Sequence, residues 1–213
     1  MTSVRAVWFD IGETLLDRTR EYAAWARFLG VPAHSFSAVF GAVVARGGGV
    51  PDVLARFRPD LSVAGVRAHV SAPALAEIDL YPGVRTALAT LRARGIYVGV
   101  SGNQPAVIGE QLRALRLPAR HVAVSAEWGW AKPRAEFFAR CVELAAAELA
   151  GLVPAEVLYV GDQLDNDVAA PLACGLQVAR VRTGPWGLLT SHAALESRCL
   201  GVLGSAAEVP ALI

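Results

Sequence analysis

Lysine is almost missing from this chain. Of its 20 basic residues, Lys132 alone is a lysine and the rest are arginines. Those arginines form no run or stripe, and the formal net charge is +1, so the chain carries no electrostatic footprint for nucleic acid. Charged residues make up only 18% against 54% hydrophobic ones, which excludes a disordered chain and supplies ample material for a packed core. The three cysteines, Cys141, Cys174 and Cys199, are odd in number and far apart. That excludes a disulfide framework and a zinc spacing, and leaves buried small apolar residues as their reading. His34, His69, His121 and His192 are equally scattered, with no metal-ligand spacing. No apolar stretch is long enough to span a bilayer. The opening MTSVRAVWFD runs straight into an apparent strand with no leader-like pattern, so the expectation is a cytoplasmic protein that does not engage a membrane.

What the chain does have is a regular alternation. Five short apolar segments, Val4 to Phe9, Tyr97 to Val100, His121 to Ser125, Val157 to Val160 and Gln177 to Val181, read as strands covered on both faces. Between them lie helical patterns at Gly83 to Arg94, Pro105 to Leu115, Arg134 to Leu149 and Val168 to Cys174, two of them stopped by Gly95 and Gly175. Strands alternating with helices predict an α/β fold, a Rossmann-like parallel sheet flanked by helices. Residues 18–80 break the alternation. Helical patterns at Glu21 to Leu29, Ser37 to Arg46, Asp52 to Phe57 and Val63 to Val70 follow one another there without a strand. The expected organisation is therefore a core of residues 1–17 and 81–213 carrying a small α-helical insert at 18–80.

In open parallel sheets, ligands bind beyond the carboxyl ends of the strands. The first strand ends in Asp10, the second in Ser101-Gly102-Asn103, and the fourth in Gly161-Asp162, followed by Asp165 and Asp167; Lys132-Pro133 follows the third. Two acidic clusters, a hydroxyl and the sole lysine thus meet at one sheet edge, and these types suit phosphoryl transfer. A carboxylate, Asp10, can serve as nucleophile. Asp162 and Asp167 offer hard oxygen ligands for Mg²⁺. Lys132 would hold Asp10 ionised and neutralise phosphate oxygens, and Ser101 with nearby backbone N–H groups would donate to the phosphoryl group. Each residue also has a plainer reading: Ser101 or Asn103 as a helix N-cap, Asp167 likewise, Lys132 as a solvated surface group.

Taken together, Asp10 with Thr14, Ser101, Lys132-Pro133 and Gly161-Asp162 with Asp167 resemble, in order and over essentially the whole chain, the four motifs of the haloacid dehalogenase (HAD) superfamily. The helical insert matches the cap that many members carry. The resemblance implies a hydrolase with Asp10 as nucleophile and metal ligand, Gly12 lending its backbone carbonyl to Mg²⁺, and Asp162 as the main acidic ligand. Asp167, or Asp165 in its place, would orient metal water or Lys132. Ser101, Gly102, Asn103 and Lys132 would bind a small phosphorylated metabolite.

One position departs from the family pattern. Phosphatases of this family carry an acid/base Asp two residues after the nucleophile, and here that position is Gly12. General acid–base catalysis is worth about 10²–10⁴-fold. Glu13 stands one step along an extended segment and is expected to point to the opposite side. The loss leaves open an enzyme for phosphates whose leaving group needs little protonation, another acid, or a catalytically weak binding protein on the same fold. A dehalogenase attacking a carbon–halogen bond also lacks that Asp, but it typically has no Gly-Asp pair at the fourth motif. Phosphonatases need a cap lysine, and residues 1–131 contain none.

Overall fold

The computed structural model describes residues 3–70 and 72–213. Six strands, β1 (Ala6–Phe9), β2 (Tyr97–Gly102), β3 (His121–Val124), β4 (Val157–Gly161), β5 (Gln177–Val181) and β6 (Gly201–Leu203), form one parallel sheet in the order β3-β2-β1-β4-β5-β6. The chain moves outward through β2 and β3, then returns past β1 to lay down β4. The order therefore reverses between β1 and β4, and a crevice opens there beyond the strand ends.

Strand residues alternate between the two faces. Val7 and Phe9 join Val98, Val100, Leu158 and Val160 in a core beneath α5 (Val84–Ala93) and α6 (Ala106–Ala114). Ala6 and Trp8 turn to the other face, where Tyr97, Val157 and Tyr159 meet Phe137, Phe138 and Cys141 of α8 (Ala135–Ala146). Burial on both faces explains why these strands are continuous apolar runs.

Four helices fill the stretch between β1 and α5: α1 (Thr19–Leu29), α2 (Ala33–Val44), α3 (Val50–Phe57) and α4 (Val63–His69). They gather their own cluster of Tyr22, Trp25, Phe36, Phe40, Val43, Val53, Leu54 and Val66. Gly30, at φ 70°, closes α1 in the left-handed conformation that costs a glycine little. Pro51 is accepted in the first turn of α3, where its missing N–H is not needed, so this helix begins earlier than the expected Asp52. No single described helix is long and apolar enough to cross a membrane.

The chain enters and leaves these helices at one place. Leu16 and Leu80 pair antiparallel, Asp17 N–H donates to the Asp79 carbonyl at 2.8 Å, and Tyr81 N–H donates to the Leu15 carbonyl at 2.9 Å. Arg20 adds a fork onto the Asp79 carboxylate at 3.0 and 2.7 Å.

Two elements differ from the sequence expectation. The strand β6 has only three residues, with half-buried and exposed side chains, so it leaves no apolar run to read. The stretch after β4 is a wide π-type turn over Leu164–Ala169 that leads into a helix at Ala170–Ala173, rather than a helix starting at Val168. Such turns are frequent at functional sites because they re-aim side chains. The remaining short helices are α7 (Ser125–Trp128), α9 (Ala170–Ala173), α10 (Gly184–Leu189), α11 (Ala193–Glu196) and α12 (Val209–Leu212).

Candidate active site

Strand register brings the acidic residues together. Phe9 lies beside Val100 and Val160, so Asp10 emerges level with the ends of β2 and β4, its N–H donating to the Val160 carbonyl at 2.8 Å. Asp10, Asp162 and Asp167 place one carboxylate oxygen each within 4.8 Å of one another, and all three residues are buried. Lys132 reaches into this cluster, and its Nζ donates to Asp10 Oδ1 and Asp167 Oδ1, both at 2.5 Å. The solvated-surface reading of Lys132 therefore does not hold, since its side chain is only 3% exposed.

Glycines make the close approach possible. A Cβ on Gly102 would stand 2.6 Å from Asp10 Oδ1, and one on Gly161 would stand 2.4 Å from Asp167 Cγ. A methyl group at either position would push a carboxylate out of the cluster. Gly102 thus contributes room beside Asp10.

Electrostatics in the cluster follow from burial. Burial lifts Asp162 well above the ordinary carboxylate range, and the neighbouring Asp167 and Asp10 charges lift it further. Asp167 is raised to about 6, again chiefly by burial, with Lys132 pulling the other way. For Lys132, burial opposes the charge, but Asp10 and Asp167 outweigh it and hold the ammonium charged well above the usual lysine range. Asp167 also accepts from the N–H groups of Asp162 (3.1 Å) and Gln163 (2.9 Å) through Oδ2, so it organises the turn as well as facing Lys132. Asp165 stays outside the cluster; it lines the pocket wall and its Oδ1 accepts from the Asn166 N–H at 2.9 Å.

Asp162 is the unsatisfied member. Both of its carboxylate oxygens are buried and neither has a hydrogen-bond partner among the described residues. Buried polar atoms without partners are rare and call for an explanation. A cation resolves it: three hard carboxylate donors around one point, with both Asp162 oxygens uncommitted, fit Mg²⁺.

The cluster opens into a pocket of about 670 Å³ between the sheet edge and the inserted helices. Asp10, Gly12 and Lys132 form its base, while Arg67, the Gly47–Gly49 turn and Val63 come from the inserted helices. That volume suits a small molecule.

Two residues named from the sequence, Ser101 and Asn103, sit differently from their expected places. The Ser101 hydroxyl is fully buried, does not line the pocket, and lies 3.5 Å from Cys141 Sγ beneath the sheet. Its carbonyl accepts from the Tyr159 hydroxyl at 2.9 Å. Side chains alternate along a strand, so the residue that faces Asp10 is Gly102, not Ser101. Asn103 lines the pocket, but its amide is occupied: Nδ2 donates to the Lys132 carbonyl at 2.9 Å and Oδ1 accepts the Lys132 N–H at 2.8 Å. It holds the backbone of the lysine. Neither residue caps α6, whose N-cap is Pro105.

Glu13 does turn away from the pocket, as its position predicts. Its backbone has φ 58°, and its buried carboxylate accepts from the Tyr81 hydroxyl at 2.6 Å. Burial raises its pKa above the ordinary carboxylate value, against the pull of Tyr81 and Arg18. The space over Gly12 is taken by other groups. A Cβ there would meet Arg18 Cδ at 3.0 Å and Gln104 Nε2 at 3.5 Å. Arg18 and Gln104 were not foreseeable, because one arginine or glutamine among many carries no spacing signal. Of the tryptophans near the strand ends, Trp186 lines the pocket and packs on Phe40 at 5.1 Å, whereas Trp128 packs against Trp8 and Phe137.

An all-parallel sheet with its reversal at β1 and β4, and a buried carboxylate–lysine cluster in that crevice, define a hydrolase-type α/β fold. Residues 4–175 match the haloacid dehalogenase-like hydrolase family, and the chain belongs to it: it is a HAD-family hydrolase. The chain is 32% identical over 132 residues to the glyceraldehyde 3-phosphate phosphatase of Methanopyrus kandleri, a match covering 60% of this chain and 54% of that protein. It therefore spans about half the length of that relative. Its fold is that of the L-2-haloacid dehalogenase of Xanthobacter autotrophicus, with a TM-score of 0.70 at 19% identity and 98% of each chain covered. It is also similar to the Bacillus subtilis HAD-hydrolase YfnB in its magnesium-bound structure, with a TM-score of 0.62, 18% identity, and 85% and 88% of the two chains covered.

Proposed function

We propose that this hydrolase is a Mg²⁺-dependent phosphatase of small phosphate esters or acyl phosphates, acting through an aspartyl-phosphate on Asp10. The observation that carries the reading is Asp162, a buried carboxylate with two partnerless oxygens beside Asp10. A dehalogenase has no use for such a group; a phosphatase needs a cation there. The glyceraldehyde 3-phosphate named for the Methanopyrus relative falls in the same substrate class.

In this reading Asp10, Asp162 and Asp167 hold the metal, together with the Gly12 carbonyl. When bound, Mg²⁺ supplies charge neutralisation between two anions that must meet. Lys132 donates to Asp10 Oδ1 at 2.5 Å and holds that carboxylate in place for attack. It also donates to phosphoryl oxygens as they approach. Asn103 fixes the Lys132 backbone, so the ammonium is held in place before substrate arrives. An Asp10 oxygen bonds to phosphorus while the bond to the leaving oxygen breaks, and that oxygen departs with the electron pair. Water then attacks phosphorus, releasing phosphate and restoring the Asp10 carboxylate. The segment 18–80 serves as a cap over the pocket, and residues 1–17 and 81–213 serve as the catalytic core.

No carboxyl group stands where the leaving group would be protonated, since Arg18 and Gln104 occupy the space over Gly12. Substrates whose leaving group is stable as an anion, such as acyl and aryl phosphates, should therefore be favoured. The test is turnover of acetyl phosphate and an aryl phosphate with Mg²⁺ and with EDTA, for the native chain beside Asp10→Asn. Metal-dependent turnover that the substitution abolishes is the expected result. Full turnover in Asp10→Asn refutes the mechanism, and halide release from a haloacid in place of phosphate release refutes the substrate class.

A further inference from the structure

The pocket wall built by the inserted helices carries an exposed cation that no carboxylate pairs directly. That wall comprises Val44, the Gly47–Gly49 turn, Val50, Pro51, Val63 and Arg67, and it contributes no carboxylate to the lining. Arg67, on α4, makes no hydrogen bond or ion pair with any described residue. The other cations of the pocket are committed. Lys132 lies between Asp10 and Asp167. Arg18 forks onto Glu21, with Nε to Oε2 at 2.8 Å and Nη2 to Oε1 at 2.9 Å, and stacks over the Tyr22 ring at 4.8 Å.

Arg67 also stands near a like charge. Although the residue is exposed, the desolvation of its surroundings and the Arg18 guanidinium both disfavour its charged form, while Glu21, already spent on Arg18, only partly offsets them. Two guanidiniums thus face one pocket with a single carboxylate between them. An anion entering from the pocket side removes that imbalance, and the planar fork of an arginine matches a carboxylate or phosphate bidentately. The phosphoryl group itself cannot be this anion, because it must sit at the base against Asp10 and Lys132.

We infer that Arg67, backed by Arg18, receives a second anionic group of the substrate, so that the preferred phosphate carries a carboxylate or a further phosphate at its far end. This inference rests on the phosphatase reading and narrows it from small phosphates in general to those with an anionic tail. The carboxylate and phosphate sources share one recognition chemistry and are separated by the assay.

The experiment compares kcat/KM, with Mg²⁺, for three-carbon phosphates differing at the far end: glycerol 3-phosphate with a neutral tail, 3-phosphoglycerate, and a three-carbon bisphosphate. An anionic tail is expected to raise kcat/KM by about tenfold or more, mainly through KM, as one charge-assisted fork supports. Whichever anionic compound leads identifies the tail. In Arg67→Gln the ratio of anionic to neutral substrate should fall to about one. Because the ratio is taken within one preparation, a general loss of activity cancels. Equal kcat/KM for all three in the native chain, or a ratio that survives Arg67→Gln, overturns the inference. If the native chain turns over none of them, the phosphatase reading fails by itself and calorimetry decides the anion site. Phosphonoacetate binding more tightly than methylphosphonate in the native chain, and equally in Arg67→Gln, upholds it; equal binding in the native chain overturns it.

Discussion

Restoring the missing acid by Gly12→Asp tests the proposed chemistry most directly. The new Cβ would stand 3.0 Å from Arg18 Cδ and 3.5 Å from Gln104 Nε2. Both contacts are with side chains rather than backbone, so a shift of a few tenths of an ångström admits the group. Gly12 has no positive φ, so an L side chain meets no backbone strain there. Arg18 then becomes the neighbour of the new carboxyl and favours its ionised form, which weakens it as an acid. General acid–base assistance spans about 10²–10⁴-fold, and this neighbour places the expected gain near the lower end, about 10², or about 2.7 kcal/mol of barrier. The gain should appear with an alkyl phosphate, whose leaving group needs the proton, and stay within about threefold for an aryl phosphate, whose leaving group does not. The assay is kcat/KM for both substrates in the native chain and the variant, with melting curves to show that both are folded. A folded variant whose alkyl-to-aryl ratio is unchanged refutes the argument that the missing acid at Gly12 limits the enzyme.

Three further outcomes follow from the cluster. Lys132→Met removes the ammonium between two buried carboxylates and should destabilise the fold by about 3–5 kcal/mol in urea at neutral pH; a loss under about 1 kcal/mol contradicts the buried-pair geometry. Asp162 is held well above the carboxylate range and Asp167 at about 6, so the fold favours their protonated forms. The metal-free protein therefore has their contribution in full below about pH 4; it loses the Asp167 part as pH rises through about 6 and the Asp162 part at higher pH, and Mg²⁺ should raise the melting temperature more at about pH 8 than at about pH 5. A metal-induced shift that grows on acidification speaks against the cluster as the metal site. Finally, burial pushes the Cys141 thiol up to about 12, so iodoacetamide at about pH 8 should label the half-buried Cys174 and Cys199 well before Cys141, as read by mass spectrometry.

The sequence disclosed those parts of the fold whose physics is local and repetitive. Strands covered on both faces must be apolar throughout, so β1, β2, β4 and β5 stood out; β6, with Val202 41% exposed, had no such requirement. Asp10, Lys132, Asp162 and Asp167 were legible because charged groups at the ends of apolar strands are conspicuous, and the structure does gather them. Direction was harder to read. Ser101 and Gly102 are adjacent, and only the strand register tells which one faces the cluster. Asn103 was visible as a polar residue, but its partner lies 29 positions away in the Lys132 loop. Arg18 and Arg67 reach the pocket through the packing of the inserted helices, and Gln104 reaches it from the loop between β2 and α6; no local pattern encodes either approach.

The paired crossings at Leu15–Asp17 and Asp79–Tyr81 have a mechanical consequence. Both connections of the inserted helices pass through one short ribbon clamped by Arg20 and Asp79, so the segment is mounted at a single point rather than on two separated legs. A body on one such mount resists sliding along the sheet edge but can rock about it. On the far side Trp186 packs against Phe40. Rocking about that pivot would carry Arg67 toward or away from Lys132 along an arc, so the reach of the pocket between its two anion-facing ends would be set by the tilt of a lever.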